Sequence, residues 1–332
     1  MRTPAFWFAE RGALAQTLRP AGFLYGACAA RTMARAGARM TAPVITIGNF
    51  VMGGAGKTPA AIALARLLIA RGEAPVFLSR GYGGATIAPA RVADQSAAQV
   101  GDEPILLARV APTFVGRDRA AVAALAIESA RPSVLLLDDG LQSRRIEPDV
   151  ALAIVDGETG VGNGLCIPAG PLRAPLAAQL RHVDAAIVVG AGSAGERFGD
   201  DARRAKIPVF HARIDPDEPA LKFRGRKVVA FAGIARPEKF FATLDGLGAA
   251  MVDRRAFADH NRYRPKDIAE LQASARAKNA ALVTTEKDFV RLPEFAQSRP
   301  APEAVPIRLT FEAALEAFVL QRLADKRRRP AT

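Results

Sequence analysis

Short apolar, β-branched runs recur along the chain with helical stretches between them, at 44–47, 76–78, 113–115, 134–137, 151–155 and 185–189. Runs this brief and this uniformly apolar predict strands buried on both faces, and the helical segments between them predict crossovers to parallel neighbours. A second, weaker set falls at 227–231, 250–252, 281–284 and 306–309. The acidic stretch 214–218, with Pro216 inside it and Pro219 after it, reads as a boundary between the two sets. An α/β fold in two domains, joined around 210–225, is the expectation.

The first forty residues follow another pattern. Phe6, Trp7, Phe8, Leu14, Leu18, Phe23, Leu24 and Tyr25 are interrupted by Glu10, Arg11, Gln16 and Arg19. The stretch is too polar to span a bilayer, which takes about 20 predominantly apolar residues, and it lacks the ordered regions of a secretory signal. With Arg31, Arg35 and Arg39 following, it suits a helix lying in a membrane interface with its arginines toward anionic headgroups. An amphipathic helix packed on the domain fits the same pattern. Segment 1–40 is therefore set apart from a core domain, 41–215, a second α/β domain, 216–325, and a basic tail, 326–332.

At 332 residues and 50% hydrophobic composition, the chain can bury more than one core without staples. Two cysteines far apart are the usage of a reducing, cytoplasmic compartment, and none of the three histidines stands at zinc-ligand spacing. A net charge of +13 calls for an anionic partner. No helix-turn-helix, zinc finger or aromatic RNA-binding motif accompanies that charge, so a phosphorylated substrate or an acidic lipid surface is expected and nucleic acid is not. No protein partner is implied.

The chemistry centres on residues 44–70. The first predicted strand runs into Gly48, Asn49, Phe50, Val51, Met52, Gly53, Gly54, Ala55, Gly56, Lys57 and Thr58, and an alanine-rich helix follows. Strand, glycine-rich loop, Gly-Lys-Thr and helix together form a P-loop, in which backbone N–H groups wrap phosphates. Lys57 reaches the β and γ oxygens and Thr58 ligates magnesium. The strict pattern has glycine where Val51 stands, so the loop, 51–58, is a variant that relies on Gly53 and Gly54 for close backbone approach. The apolar run 134–137 ends in Asp138, Asp139 and Gly140, where such a fold places its metal-side acid. The expected fold is thus a P-loop NTPase-like, mostly parallel sheet flanked by helices, with a second smaller α/β domain. A guanine-specific Asn/Thr-Lys-x-Asp reader is missing, since Thr284-Thr285-Glu286-Lys287-Asp288 has the wrong order. Asp102 and Glu103, ahead of a helix expected over 105–110, can ligate metal or take a proton from an attacking hydroxyl, or simply favour a helix start.

Eight strings in order extend the match: Gly54-Ala55-Gly56-Lys57-Thr58-Pro59, Ser79-Arg80-Gly81-Tyr82-Gly83-Gly84, Gly101-Asp102-Glu103-Pro104, Leu137-Asp138-Asp139-Gly140, Pro168-Ala169-Gly170-Pro171-Leu172-Arg173, Phe231-Ala232-Gly233-Ile234, Asp259-His260 and Thr284-Thr285-Glu286-Lys287-Asp288. With them the chain resembles the tetraacyldisaccharide 4'-kinases of lipid A assembly over nearly its whole length. The resemblance implies that ATP phosphorylates the 4'-hydroxyl of a tetraacylated glucosamine disaccharide 1-phosphate, an acidic glycolipid, on the cytoplasmic face of the bacterial inner membrane. It implies Asp102 as proton acceptor, His260 from the second domain as its partner, and Lys57 on the phosphates. Thr58, Glu103 and Asp138 fall to magnesium, and Asp139, Arg119 and Arg173 to the acceptor. Leu141, Ser143, Ala174 and Asn261 depart from the family pattern, and Ser143 and Ala174 bear on acceptor recognition. A P-loop kinase for a different, soluble hydroxyl acceptor is the alternative.

Overall fold

A computed structural model describes residues 4–293, 296 and 298–328. Eight strands build most of the larger sheet: β1 Val44–Asn49, β2 Pro75–Ser79, β3 Ala90–Arg91, β4 Thr113–Val115, β5 Val134–Asp138, β6 Val150–Asp156, β7 Ala185–Val189 and β8 Val209–Pro216. Four form a smaller sheet: β9 Lys227–Ala232, β10 Ala250–Ala256, β11 Ala281–Thr285 and β12 Glu303–Val305. The last strand, β13 Ile307–Phe311, returns to the larger sheet, whose order is β13-β8-β7-β6-β1-β5-β2-β4-β3.

The runs of the first set become strands because both of their faces are covered. On β1, Ile45 and Ile47 point into a core shared with Leu64 and Leu68 of helix Lys57–Ala70, while Val44 joins Leu135 and Leu137 under helix Arg119–Ala130. All pairs in the larger sheet are parallel except at its two edges, β3 on β4 and β13 on β8. The chain builds from β1 to one side, returns to β5, and crosses over β1 to β6. That reversal opens a crevice at the carboxyl ends of the central strands. Asn49, Ser79, Asp138 and Asp156 end β1, β2, β5 and β6 there.

The run 306–309, expected in the second sheet, does not belong there. Ile307–Phe311 pairs antiparallel with β8, Leu309 opposite Ile214, and helix Ala313–Arg328 buries Leu315, Val319 and Leu323 in the first core. Its residues alternate between half-buried or buried and exposed, the pattern of an edge strand with one solvated face. A short β-branched run says that a strand forms but not which sheet receives it. The second unit, expected over 216–325, is correspondingly shorter, and two chain crossings join it to the first. Lys326 and Arg327 of the expected basic tail bind Asp149 and Glu73 of the larger unit, and residues 329–332 lie outside the described residues.

The N-terminal segment forms helix Ala13–Met33, which packs by Ala15, Gly22, Gly26 and, at its end, Met33. A Cβ on Gly22 would meet the Cys166 carbonyl oxygen at 2.7 Å, and one on Gly26 the Cys166 Sγ at 2.9 Å. Trp7 is buried and its indole N–H donates to the Pro168 carbonyl at 2.9 Å. Phe23 and Leu24 are 74% and 67% exposed. Docking and an exposed apolar surface therefore coexist. Among the described residues, no helix is long and apolar enough to cross a membrane. Gly22→Val should lever this helix off Cys166 and destabilise the protein by about 1–3 kcal/mol, the usual effect of overpacking. Thermal unfolding, with earlier proteolysis ahead of residue 34, measures it; an unchanged melting temperature would show that the close approach bears no load.

Candidate active site

The glycine-rich loop begins where β1 ends. The Phe50 carbonyl accepts the Arg173 N–H at 2.9 Å, Met52 N–H donates to Pro171 at 2.8 Å, and Val51 bridges Leu172. This stretch is an extended strand continuation, so valine is at home where the strict motif has glycine. Left-handed geometry starts later, at Gly53 with φ +119° and Gly56 with φ +83°. Helix Lys57–Ala70 starts directly after Gly56, which aims its first N–H groups and its positive end at the crevice. Asn49 ties the loop across its own width: its amide donates to the Gly53 carbonyl at 3.2 Å and its Oδ1 accepts from Lys57 Nζ at 3.3 Å. Gln142 and the fully buried Gln179 brace it from below, donating to the carbonyls of Asn49 and Phe50 at 2.7 and 3.1 Å.

Beside the loop lies an acidic wall. Asp138 is buried, takes only a long contact from Ser79 Oγ at 3.5 Å, and leaves Oδ1 without a hydrogen-bond partner. Burial, with the like charges of Glu103 and Asp139 outweighing Lys57 and Arg119, raises its pKa from 3.8 to about 7. Asp139 stands in left-handed geometry and accepts both Nη1 contacts of Arg173, at 2.9 and 3.0 Å. Burial pushes its pKa up, but Lys57, Arg173 and Arg119 together hold it below the ordinary value. Arg119 is buried, donates to the Asp139 carbonyl at 3.4 Å, and has no partner for Nη1.

The second domain meets this wall at Asp102. Gly101, with φ +90°, turns the chain into helix Asp102–Ala108, which starts three residues before the expected 105. Asp102 is buried there and gathers three side chains from the other domain: His260 Nδ1 at 3.3 Å, Lys287 Nζ at 3.9 Å and the guanidinium of Arg291, whose Nε lies at 2.6 Å. Lys287 also binds Glu103 at 2.9 Å. Burial alone would raise the Asp102 pKa; the His260 hydrogen bond and the charges of Lys287 and Arg291 hold it far below the ordinary value instead. His260 has φ +55°, with its N–H on the Gly233 carbonyl at 3.1 Å.

Sequence reasoning passed over Arg291 and Lys287. Their anchor is Asp288, wholly buried, which accepts the Gly233 N–H at 2.9 Å, the Tyr263 hydroxyl at 2.8 Å and Arg291 Nη1 at 3.1 Å. The signal was present in Asp288 and Arg291, an acid and an arginine three residues apart at the end of the short helix Glu286–Phe289. A second ionic cluster bridges the domains on the other side of the loop, where Arg236 Nη1 reaches Asp156 at 2.7 Å and Lys239 also binds Asp156. The structure thus gathers Lys57, Asp138, Asp139, Arg119 and Arg173 about the crevice of the first domain, with Asp102, Glu103 and His260 at its junction with the second.

A profile of the family described as tetraacyldisaccharide-1-P 4'-kinase matches residues 14–324. The chain belongs to this family. The tetraacyldisaccharide 4'-kinase of Methylobacterium nodulans is 50% identical, covering 99% of this chain and 100% of its own length. That of Methylobacterium radiotolerans is 51% identical over 95% and 96%. Among solved structures, an LpxK from Aquifex aeolicus in complex with ATP superposes with a TM-score of 0.71 at 24% identity, over 93% of this chain and 99% of that one. The shared fold is the content of that last likeness.

Family membership raises the question of whether these residues fit a nucleotide with magnesium. The orphaned Asp138 Oδ1, the nearby Glu103 and the largely buried Thr58 are hard oxygen donors at the mouth of the phosphate cradle. Among the described residues no cluster of three or more acidic, histidine or cysteine side chains forms a self-sufficient metal site. That suits magnesium, which usually takes one or two carboxylates and completes its shell with phosphates and water.

The frustrated charge of Asp138 predicts a pH-dependent stability. Because its folded pKa lies above its unfolded one, the unfolded chain releases the proton first, and stability falls as pH rises from about 4 to about 7. Asp138→Asn should therefore melt higher than the parent at pH 8, with the advantage shrinking toward pH 4. Calorimetric melting at both pH values decides it, and a variant that melts lower at pH 8 would contradict the charge assignment.

Proposed function

We propose that this chain is an ATP-dependent kinase that phosphorylates the 4'-hydroxyl of a tetraacylated glucosamine disaccharide 1-phosphate in lipid A biosynthesis. One observation carries the reading beyond the family: Asp138 pairs with Ile47 just before the glycine-rich loop, and through Ser79 and Gly81 it lies beside Gly101, the residue before Asp102. A carboxylate that can receive an alcohol proton thus adjoins the phosphate cradle.

Lys57 and the amides of Gly53 to Thr58 hold the triphosphate, with Thr58, Glu103 and Asp138 as the residues that would hold magnesium. When bound, that ion would neutralise charge developing on the transferring phosphoryl group. Asp102 orients the sugar hydroxyl and accepts its proton as the oxygen–phosphorus bond forms and the bond to the ADP oxygen breaks. A carboxylate with so low a pKa is a weak base. Phosphoryl transfer through a loose transition state asks for little deprotonation early on, so an acceptor fixed in place and fully ionised suffices. His260 and Arg291 do that fixing. Arg119, Arg173 and Asp139 face the acceptor side, where a guanidinium fork suits phosphate.

The acceptor is a membrane lipid, and the exposed Phe23 and Leu24, with Arg31 and Arg35 nearby in the chain, support peripheral attachment to an anionic leaflet, here the cytoplasmic face of the bacterial inner membrane. Phe8 lines a cavity of about 200 Å³ together with Gly53, Gly54 and Ala55, so the apolar N-terminal segment adjoins the phosphate loop.

Incubating the protein with γ-labelled ATP, magnesium and the disaccharide lipid should place label in the lipid. Lys57→Ala should lower that transfer at least 100-fold, on the order of losing a principal charge-stabilising group. Label confined to inorganic phosphate, or equal transfer by Lys57→Ala, would overturn the reading. Phe23→Glu with Leu24→Glu should leave melting unchanged and weaken binding to anionic vesicles by about tenfold or more. Unchanged vesicle binding would favour a soluble acceptor.

A further inference from the structure

Tyr82 has no part in the chemistry above, yet it sits at the mouth of the site. Tyr82 is 70% exposed, leaving a large aromatic side chain in water. It is also not loose. Tyr82 sits between Gly81, at φ +67°, and Gly83, at φ +82°, and Gly84 N–H closes the turn on the Gly81 carbonyl at 3.0 Å. This loop lies flat on the segment that leads into Asp102: a Cβ on Gly101 would meet the Tyr82 carbonyl at 2.6 Å, and one on Gly84 would meet the Gln99 carbonyl at 2.6 Å. Its other end is held at Ser79, whose Oγ contacts Asp138. The ring itself rests edgewise on His260, centroids 5.5 Å apart and planes at 65°.

We propose that Tyr82 is a binding residue for the acceptor, a platform on which the hexosamine ring that presents its hydroxyl to Asp102 stacks its apolar C–H face. The inference rests on the kinase reading above and adds a specificity determinant to it. A hydroxyl delivered to Asp102 brings its pyranose ring past His260, and Tyr82 is the aromatic packed against that histidine. A rigid ring with two side-chain torsions contributes contact area at low entropic cost, which is why exposed tyrosines recur in recognition surfaces. Arg119 and Arg173 offer charge for phosphate but no apolar surface for a sugar. Tyr82 complements them.

The alternative is that Tyr82 only buttresses His260. Steady-state kinetics and direct binding separate the two. Tyr82→Ala and Tyr82→Leu should raise the KM for the disaccharide lipid about 3- to 10-fold, the scale of one aromatic contact, while the KM for ATP stays unchanged. Tyr82→Phe, which keeps the ring, should restore most of the lost affinity. Equilibrium binding of the same lipid in detergent micelles, with a non-hydrolysable ATP analogue present, should weaken by the same factor. A fall in kcat with lipid KM and binding unchanged, or Tyr82→Phe behaving like Tyr82→Ala, overturns the platform. If the parent protein binds the lipid more tightly than Tyr82→Ala but transfers no phosphate, the platform stands and the kinase reading falls.

Discussion

A carboxylate removed from water is tolerable only when cations replace the water, and Asp102 draws all three of its closest basic or imidazole partners from the other domain. Breaking such a pair by losing one partner typically costs about 3–5 kcal/mol, whereas the intact pair returns little net stability over an apolar substitute. The arrangement therefore says less about how tightly the protein folds than about which domain arrangement it accepts. Apart, the two domains would leave Asp102 without these three side chains and Arg291 without the carboxylate it shares with His260. Together, they assemble the group we propose faces the acceptor hydroxyl.

The second ionic cluster makes the same point from the opposite side of the phosphate loop. Asp156 ends β6, is 6% exposed at its side chain, and is held by Arg236 and Lys239 of the second domain. Burial works against its charge, and these partners bring its pKa below the ordinary value all the same. The loop between the clusters is thus gripped through charges on both flanks rather than through a continuous apolar interface. Interfaces of that kind rearrange between discrete pairings more readily than packed cores do. For a kinase this matters, because a site completed only when its domains meet keeps water from competing with the sugar hydroxyl.

What the sequence disclosed follows the range of the interactions involved. The glycine-rich loop after β1 and the acid at the end of β5 were legible because glycine geometry, strand burial and the helix start are all local. Arg291 was not, because its meaning depends on Asp102, 189 positions away. The strand at 307–311 was recognisable as a strand, but its partner β8 was chosen by tertiary pairing that no local pattern encodes. The N-terminal helix misleads differently. Its large apolar residues fit a membrane-facing or a packed helix equally, but close approach to Cys166 is possible only where glycine leaves space, so Gly22 and Gly26 dock there while Phe23 and Leu24 stay outside.

The contrast between Asp138 and Asp139 shows how one turn of backbone separates two adjacent carboxylates. Left-handed geometry at Asp139 swings its side chain out to Arg173, where cations stabilise its charge. Asp138, still in the strand, points inward with one oxygen unsatisfied and a raised pKa, so its ionised form is the strained one. Had evolution needed only stability at this position, a neutral amide or an apolar residue would serve the buried strand end better. An ionisable group kept in deficit of positive charge is explained if a cation arrives with the substrate and supplies it. Stability relinquished in the empty site would then be recovered as affinity for the charged ligand, and the same frustration that weakens the free fold becomes selectivity for what completes it.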